Sequence, residues 1–525
     1  MQQRRAMSIL GILVCAVSLN GQDGFVSPTK VVHTTEGRVL GFSDGKVDRF
    51  LGIPYATPPI GDLRWKAPVE ASGWQGVRDA IQQGSQCVQA NGDGSEDCLY
   101  LNIYRPAGTE HGDSLPAIIF IHGGGNQQGS GNDYDPSDWV ANTRIIVVTI
   151  NYRLNVFGFL ALPALDAEAG EPASGNYGLM DQQAAMRWVS ANIRAFGGDP
   201  GNVTVQGESA GGIDICANLV SPPAAGLFHR AIMESMYCPT ATHDQEIQTS
   251  APVPAALGCT DTQTAASCLR GKSAADLLAA AGHLSMAGEP GFMPSPNFGN
   301  SLLPLQAKDA LTSGQWNSSD ILIGSNHDEA STFVGGNLNG KVNFPITDQE
   351  YQALVNALYG SFAPSVFNEY PLSTYSDPFL AYADEIGDYS ALGCAVTPLS
   401  QMFAAVTRTF RYELEDPLAP VQGGNPTDRT LGSYHGAELL YLFTFSNVTK
   451  TAAQQQMSGE MQQYWANFAK TGDPNGNELA LWPTYDASAN QLLSLKPDGN
   501  TVIDNFEVEH HCAFWAAAPG PPFPK

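Results

Sequence analysis

The chain has 525 residues, enough for a large core, and 43% of them are hydrophobic, which excludes a disordered protein. Lys and Arg number 26 against 52 Asp and Glu, so the net charge is -26 and the pI is near 4.6. A surface that acidic argues against nucleic acid or an anionic membrane as partner.

The N-terminus reads as a secretory signal over residues 1–22. Arg4 and Arg5 precede an apolar stretch, Ser8 to Leu19, that is too short to span a bilayer. No later apolar run reaches membrane-spanning length, so no stable membrane anchor is expected. Residues 23–525 read as one domain of a secreted protein, extracellular or, in a bacterium, periplasmic. Removal of Cys15 with the signal leaves Cys87, Cys98, Cys216, Cys238, Cys259, Cys268, Cys394 and Cys512. An even number of cysteines in an exported chain suggests disulfides. Asn202, Asn317 and Asn447 each begin an Asn-x-Ser/Thr acceptor for N-glycosylation, although Asn202 opens a strand and is a poor candidate.

In chain order, residues 31–42 predict a hairpin with glycine punctuation. Phe50 to Trp65 carries three prolines and predicts an irregular loop. Glu96–Tyr104, Pro116–Ile121 and Ile145–Asn151 predict strands, the last two continuously apolar as strands covered on both faces are. Gly178 to Ala195 predicts a helix with Leu179, Ala184, Ala185, Trp188, Val189 and Ile193 roughly toward one face. Asn202–Gln206 predicts a strand, Ile213–Val220 a helix, and Ala231–Met233 and Ile321–Ile323 further short strands. Residues 240–315 predict loops with short helices, and 348–411 mostly helix. Thr451 to Thr471 predicts a helix stopped by Gly472-Asp-Pro474. Strands alternating with helices imply an α/β fold around a largely parallel sheet, with its site beyond the carboxyl ends of the strands.

Gly207-Glu-Ser-Ala-Gly211 stands between the strand at 202–206 and the helix at 213–220. Strand, sharp turn and helix is the setting in which G-x-S-x-G exposes a nucleophilic serine, here Ser209. A serine hydroxyl needs a base, the base needs an orienting carboxylate, and the tetrahedral intermediate needs fixed N–H donors. His122-Gly-Gly-Gly125 follows a buried strand and can supply such donors, with Ala210 adding another. Glu329 is the acid candidate and Asp328 its rival, both just after the strand at 321–323. His435, late in the chain between Gly432 and Gly436, is the base candidate, with His122 and His327 as alternatives. A histidine base predicts an acid limb with an apparent pKa between about 5.5 and 7.

Over roughly residues 30–517 the chain resembles the type B carboxylesterases, the group that includes carboxylesterases, cholinesterases and fungal lipases. The resemblance rests on Glu96-Asp-Cys-Leu-Tyr-Leu-Asn102, His122-Gly-Gly-Gly125, Asn151-Tyr-Arg153, Gly207-Glu-Ser-Ala-Gly-Gly212, Asn326-His-Asp-Glu329, Tyr434-His-Gly436 and the stretch from Tyr464 to Pro474. It implies an α/β-hydrolase fold, a large mostly parallel sheet flanked by helices. It implies Ser209 as nucleophile, Glu329 rather than Asp328 as acid and His435 as base. The N–H groups of Gly124, Gly125 and Ala210 become the oxyanion hole, with Glu208 and Ser235 beside the triad. It implies the disulfides Cys87–Cys98, Cys259–Cys268 and Cys394–Cys512. Cys216 and Cys238 are left as a fourth pair or as two buried thiols. No metal or cofactor is implied.

Two positions depart from the family pattern. Asn126, followed by Gln127-Gln128, stands where an aromatic residue is usual, and polar amides there would favour a polar or small acyl group; Met236 replaces a glycine after Ser235. The family's lipases carry a long lid between the first two cysteines, and its cholinesterases a tryptophan there. Here Cys87 and Cys98 enclose ten polar or small residues with no aromatic. The expectation is a secreted serine esterase that cleaves soluble short-chain or polar esters through an acyl-enzyme. The alternatives are a lipase or sterol esterase at lipid interfaces and an inactive adhesion protein of the cholinesterase-like kind.

Overall fold

The computed structural model describes residues 26–282, 294–335, 346–390, 392–422 and 431–518. The stretch read as a secretory signal, residues 1–22, lies outside the described residues. Among those described, twelve strands form one sheet. In chain order they are β1 (Ser27–Pro28), β2 (Phe42–Ser43), β3 (Val47–Pro54), β4 (Tyr100–Pro106), β5 (Leu115–Ile121) and β6 (Ile146–Ile150). They continue with β7 (Gly198–Glu208), β8 (Arg230–Glu234), β9 (Asp320–Asn326), β10 (Thr409–Leu414), β11 (Leu492–Leu495) and β12 (Thr501–Ile503).

The spatial order is β1-β2-β3-β4-β6-β5-β7-β8-β9-β10-β11-β12. From β6 to β11 every pairing is parallel, and the pairs toward both edges are antiparallel. The apolar runs of the central strands have the cause foreseen from sequence. Ile119, Ile121, Val203, Val205, Ala231, Met233, Ile321 and Ile323 join one core. Ile118, Phe120, Ile232 and Leu322, the alternate residues, join a second core on the other face. Both faces of the sheet are therefore dry, and a strand there has no solvent side to mark with polar residues. Helix α1 (Tyr177–Asn192) adds Leu179, Ala185, Met186 and Val189 to the first core. Helix α3 (Ala452–Thr471) adds Met457, Met461, Tyr464, Trp465 and Phe468 to the second. It opens on a Thr451–Gln454 capping box and stops at Gly472 in the left-handed region.

Two expectations need correction, and one left open is decided. Phe50 to Pro54 is not loop but the end of β3, paired antiparallel with β4 across a register shift near Gly52. Phe50 and Ile53 are buried, and Pro54 is the last strand residue, where its missing N–H breaks no further ladder. The helical stretch 348–411 gives way to β10 at Thr409. Cys216 and Cys238 are paired, with Cα atoms 5.5 Å apart, joining the helix after Ser209 to the segment after β8. The other three bridges are Cys87–Cys98, Cys259–Cys268 and Cys394–Cys512.

Candidate active site

β7 ends at Glu208, and helix α2 begins two residues on (Ala210–Leu219). Ser209 makes the turn with φ 54° and ψ -122°, a conformation that costs a non-glycine residue about 1–3 kcal/mol. The surroundings impose it. Ser209 N–H donates to Glu234 O at 2.9 Å, and Ser209 O accepts from Ile213 N–H at 2.9 Å. Gly211 is required because a Cβ there would lie 2.0 Å from Ile121 O at the end of β5. Ser209 itself is half-buried at the carboxyl end of the sheet.

The glycine loop after β5 closes onto this turn. A Cβ on Gly123 would meet Glu208 Oε2 at 2.5 Å and Ser209 Cβ at 3.0 Å, so only glycine lets the two segments touch. Gly124 and Gly125 both have positive φ, 96° and 63°. Among the described residues, no protein acceptor takes the N–H groups of Gly124, Gly125 or Ala210. Donors fixed by backbone and left free of partners are what a developing oxyanion requires.

Glu329 and His435 come together from separate loops. His435 Nδ1 donates to Glu329 Oε2 at 2.6 Å, and Glu329 Oε1 accepts from Asn326 N–H at 2.8 Å. The carboxylate is buried, so the imidazole is oriented from below by a fixed acceptor. The other ring nitrogen, Nε2, lies 3.1 Å from Glu208 Oε1. That oxygen forms no hydrogen bond of acceptable angle, so the contact is electrostatic. Phe333 covers the imidazole with its ring, 4.8 Å between centroids. Asp328, the rival acid, instead accepts from Ser433 N–H at 2.7 Å and holds the His435 loop in place. His122 is buried against Tyr152, 4.5 Å between rings, and burial lowers its pKa to about 4. His327 lies between Asp328 and Glu509. Neither alternative histidine joins Glu329.

Four carboxyl groups crowd beneath the serine, and two of them were missed in the sequence. Glu234 accepts from Trp465 Nε1 at 2.8 Å and from Gln206 Nε2, and Glu438 accepts from Asn326 Nδ2. Burial, opposed by those donors, still pushes Glu234 up to about 8. Burial and the charges of Glu208, Glu234 and Glu329 push Glu438 up. Burial likewise raises Glu208, with the His435 charge opposing and Glu329 adding. Burial alone would lower His435, but Glu208, Glu329 and the Glu329 hydrogen bond outweigh it and lift the imidazole to about 9. That lies above the range an ordinary histidine base predicts. A glutamate in the apolar run Ala231-Ile-Met-Glu234 was the one sequence signal for this cluster. Ser235 is fully buried in the same region with φ 49°, its N–H donating to Gly324 O at 2.9 Å.

Asn126 does not serve the polar acyl pocket that its amide suggested, whereas Gln127 and Gln128 after it stay at least partly exposed. With φ 55° Asn126 turns inward and is buried. Its Nδ2 donates to Asp214 Oδ1 at 3.2 Å, and its Oδ1 lies 2.9 Å from Tyr152 Oη. It braces the glycine loop and does not line the site. The Cys87–Cys98 loop is also tied down here. Ala90 N–H donates to Gln127 O at 2.9 Å, and Gly129 N–H donates to Gln89 Oε1 at 2.7 Å.

The carboxylesterase family pattern matches residues 28–515. Para-nitrobenzyl esterase of Bacillus subtilis (strain 168) is 34% identical over 514 residues, 91% of this chain and 96% of that protein. The human cocaine esterase is 32% identical over 549 residues, 97% of this chain and 94% of that protein. Among solved structures, a PNB esterase matches with a TM-score of 0.76 at 32% identity, covering 92% of this chain and 98% of the other. The fold, the serine turn and these likenesses agree that the chain belongs to the carboxylesterase family, a family of serine carboxylic-ester hydrolases.

Proposed function

We propose that this chain is an exported single-domain esterase that cleaves soluble, short-chain or polar esters through an acyl-enzyme on Ser209. The observation that carries the reading is the 2.6 Å bond from His435 Nδ1 to Glu329, with Nε2 lying 3.1 Å from Glu208 of the serine turn. In the first half-reaction, neutral His435 takes the Ser209 proton on Nε2 as the alkoxide attacks the ester carbonyl. The N–H groups of Gly124, Gly125 and Ala210 receive the oxyanion, and one such donor is worth about 3–4 kcal/mol. The imidazolium formed is flanked by Glu329 and Glu208, and it gives its proton to the leaving alcohol. Water, activated by the same histidine, then releases the acid.

The substrate class rests on the loop between Cys87 and Cys98. It is short, contains no aromatic residue and is bonded to Gln127–Gly129, so it supports an open site with neither lid nor cation–π face. Relatives named para-nitrobenzyl esterase and cocaine esterase support small-molecule esters. Export is supported by four disulfides, which persist in oxidising compartments. Among the described residues no helix is long and apolar enough to cross a membrane. A panel of esters of rising chain length tests the reading. The rate is expected to fall with chain length and to show no jump at the solubility limit. Strong activation on emulsified long-chain triglycerides would make the chain a lipase instead.

A further inference from the structure

A second cluster of ligand-type side chains lies on the far side of the Glu329 loop. His327 follows β9 directly, Glu413 sits on β10, and His510 follows the short helix Phe506–Glu509. One ligand atom from each lies within 4.8 Å of the others. His327 N–H donates to Leu414 O at 3.0 Å, and Cys394 N–H donates to Asp388 O at 3.2 Å. The Cys394–Cys512 bridge clamps the His510 segment to the same place. The cluster is thus built on two central strands and a disulfide.

Both histidines are held in the same way. His510 Nδ1 donates to Asp388 Oδ1 at 2.5 Å, and His327 Nδ1 lies 3.2 Å from Asp328 Oδ1. That leaves both Nε2 atoms facing acids, His510 toward the buried Glu413 Oε1 at 2.6 Å and His327 toward the exposed Glu509 Oε1 at 3.6 Å. An imidazole whose Nδ1–H is fixed by a carboxylate presents Nε2 as a metal ligand, the arrangement common to protein-bound metals. Glu413 is fully buried, and its second oxygen, Oε2, has no hydrogen-bond partner. Four carboxylates, Asp328, Asp388, Glu413 and Glu509, surround the two imidazoles.

We propose that His327, Glu413 and His510 form a site for one divalent transition cation of the zinc class, with Asp328 and Asp388 orienting the histidines. Two imidazole nitrogens and one carboxylate are a donor set that suits Zn, Co, Ni or Cu rather than Mg or Ca. Ligands about 2.0–2.1 Å from a tetrahedral ion stand about 3.3 Å apart. The gap between His510 Nε2 and Glu413 Oε1 therefore widens, and His327 moves inward. The movement exchanges its 3.6 Å approach to Glu509 for the cation, on a side chain that is 29% exposed. The proton that His510 Nε2 now donates to Glu413 leaves to solvent as the cation takes its place. Glu509 or water fills the fourth position. The cation would join β9, β10 and the C-terminal segment two residues from Glu329.

The test uses the full-length protein, stripped with a chelator and then given Zn(II) or Co(II). Retained metal is measured after gel filtration, and the Co(II) spectrum reports geometry. One equivalent retained, with the intense visible bands of tetrahedral cobalt, is expected. His327→Gln, on the exposed side of the cluster, should abolish retention, and Asp388→Asn should weaken it about ten- to a hundredfold. No retained equivalent, or retention undiminished in a folded His327→Gln protein, would overturn the proposal.

Discussion

Replacing Glu208 by Gln should move the acid limb of the rate profile to lower pH. His435 rises from the ordinary 6.5 to about 9 even though burial opposes it, so the charges of Glu208 and Glu329 together contribute more than the net rise. The Glu208 charge comes first among the raising causes, ahead of the Glu329 charge and the Glu329 hydrogen bond taken singly, and its Oε1 lies 3.1 Å from Nε2. Unit charges at that distance interact by about 5 kcal/mol at an effective dielectric of 20, an upper bound because Glu208 is itself raised and only partly ionised near neutrality. A shift of about one pH unit or more, and below about four, is expected. The sign follows from the chemistry. The base works only when neutral, so activity is lost as pH falls through the histidine pKa, and lowering that pKa extends activity downward. The plateau rate should also fall, because the imidazolium formed during acylation loses a partner. The assay is kcat/KM from about pH 5 to about pH 10 on a short alkyl ester in a pH-stat, with both proteins folded. The three groups titrate together, so the measured values belong to the set. A limb that stays in place or moves upward would show that the Glu208 charge does not hold His435.

Two further outcomes follow from the frame of the site. Gly211→Ala places a Cβ 2.0 Å from a backbone oxygen of β5 that cannot swing away. It should cost about 1–3 kcal/mol or more, read as a lower melting midpoint, whereas Gly459→Ala, with open space around it, should leave the midpoint unchanged or higher. The unreduced, denatured protein should expose no reactive thiol from the four bridges, and replacing both Cys216 and Cys238 by Ala should cost about 3 kcal/mol for a 22-residue loop.

What the sequence revealed depends on how locally each feature is encoded. Ser209 was legible because its turn is written in five consecutive residues, and His122–Gly125 because three glycines follow a buried strand. Glu329 and His435 were legible as candidates from a strand end and a late glycine-flanked loop, but a hundred residues separate them, so spacing left Asp328, His122 and His327 open and the resemblance decided between them. The acid cluster was hidden because Glu208, Glu234, Glu329 and Glu438 meet only once the ends of β7, β8 and β9 and the His435 loop converge. Asn126 misled because its positive φ, invisible in sequence, turns an amide that should face substrate into the core. β10 was missed because Arg411 and Glu413 interrupt its apolar pattern, yet both are buried. Arg411 lies over Phe506, and Glu413 meets His510.

The central claim is that Ser209 carries the acyl group. An organophosphate ester that releases a chromophore measures this directly. It should give a burst of one equivalent per chain, with the adduct located by peptide mass spectrometry on Ser209, and Ser209→Ala should show neither burst nor adduct while remaining folded. A stoichiometric adduct on any other residue, or turnover by Ser209→Ala above about a thousandth of the parent rate, would contradict it.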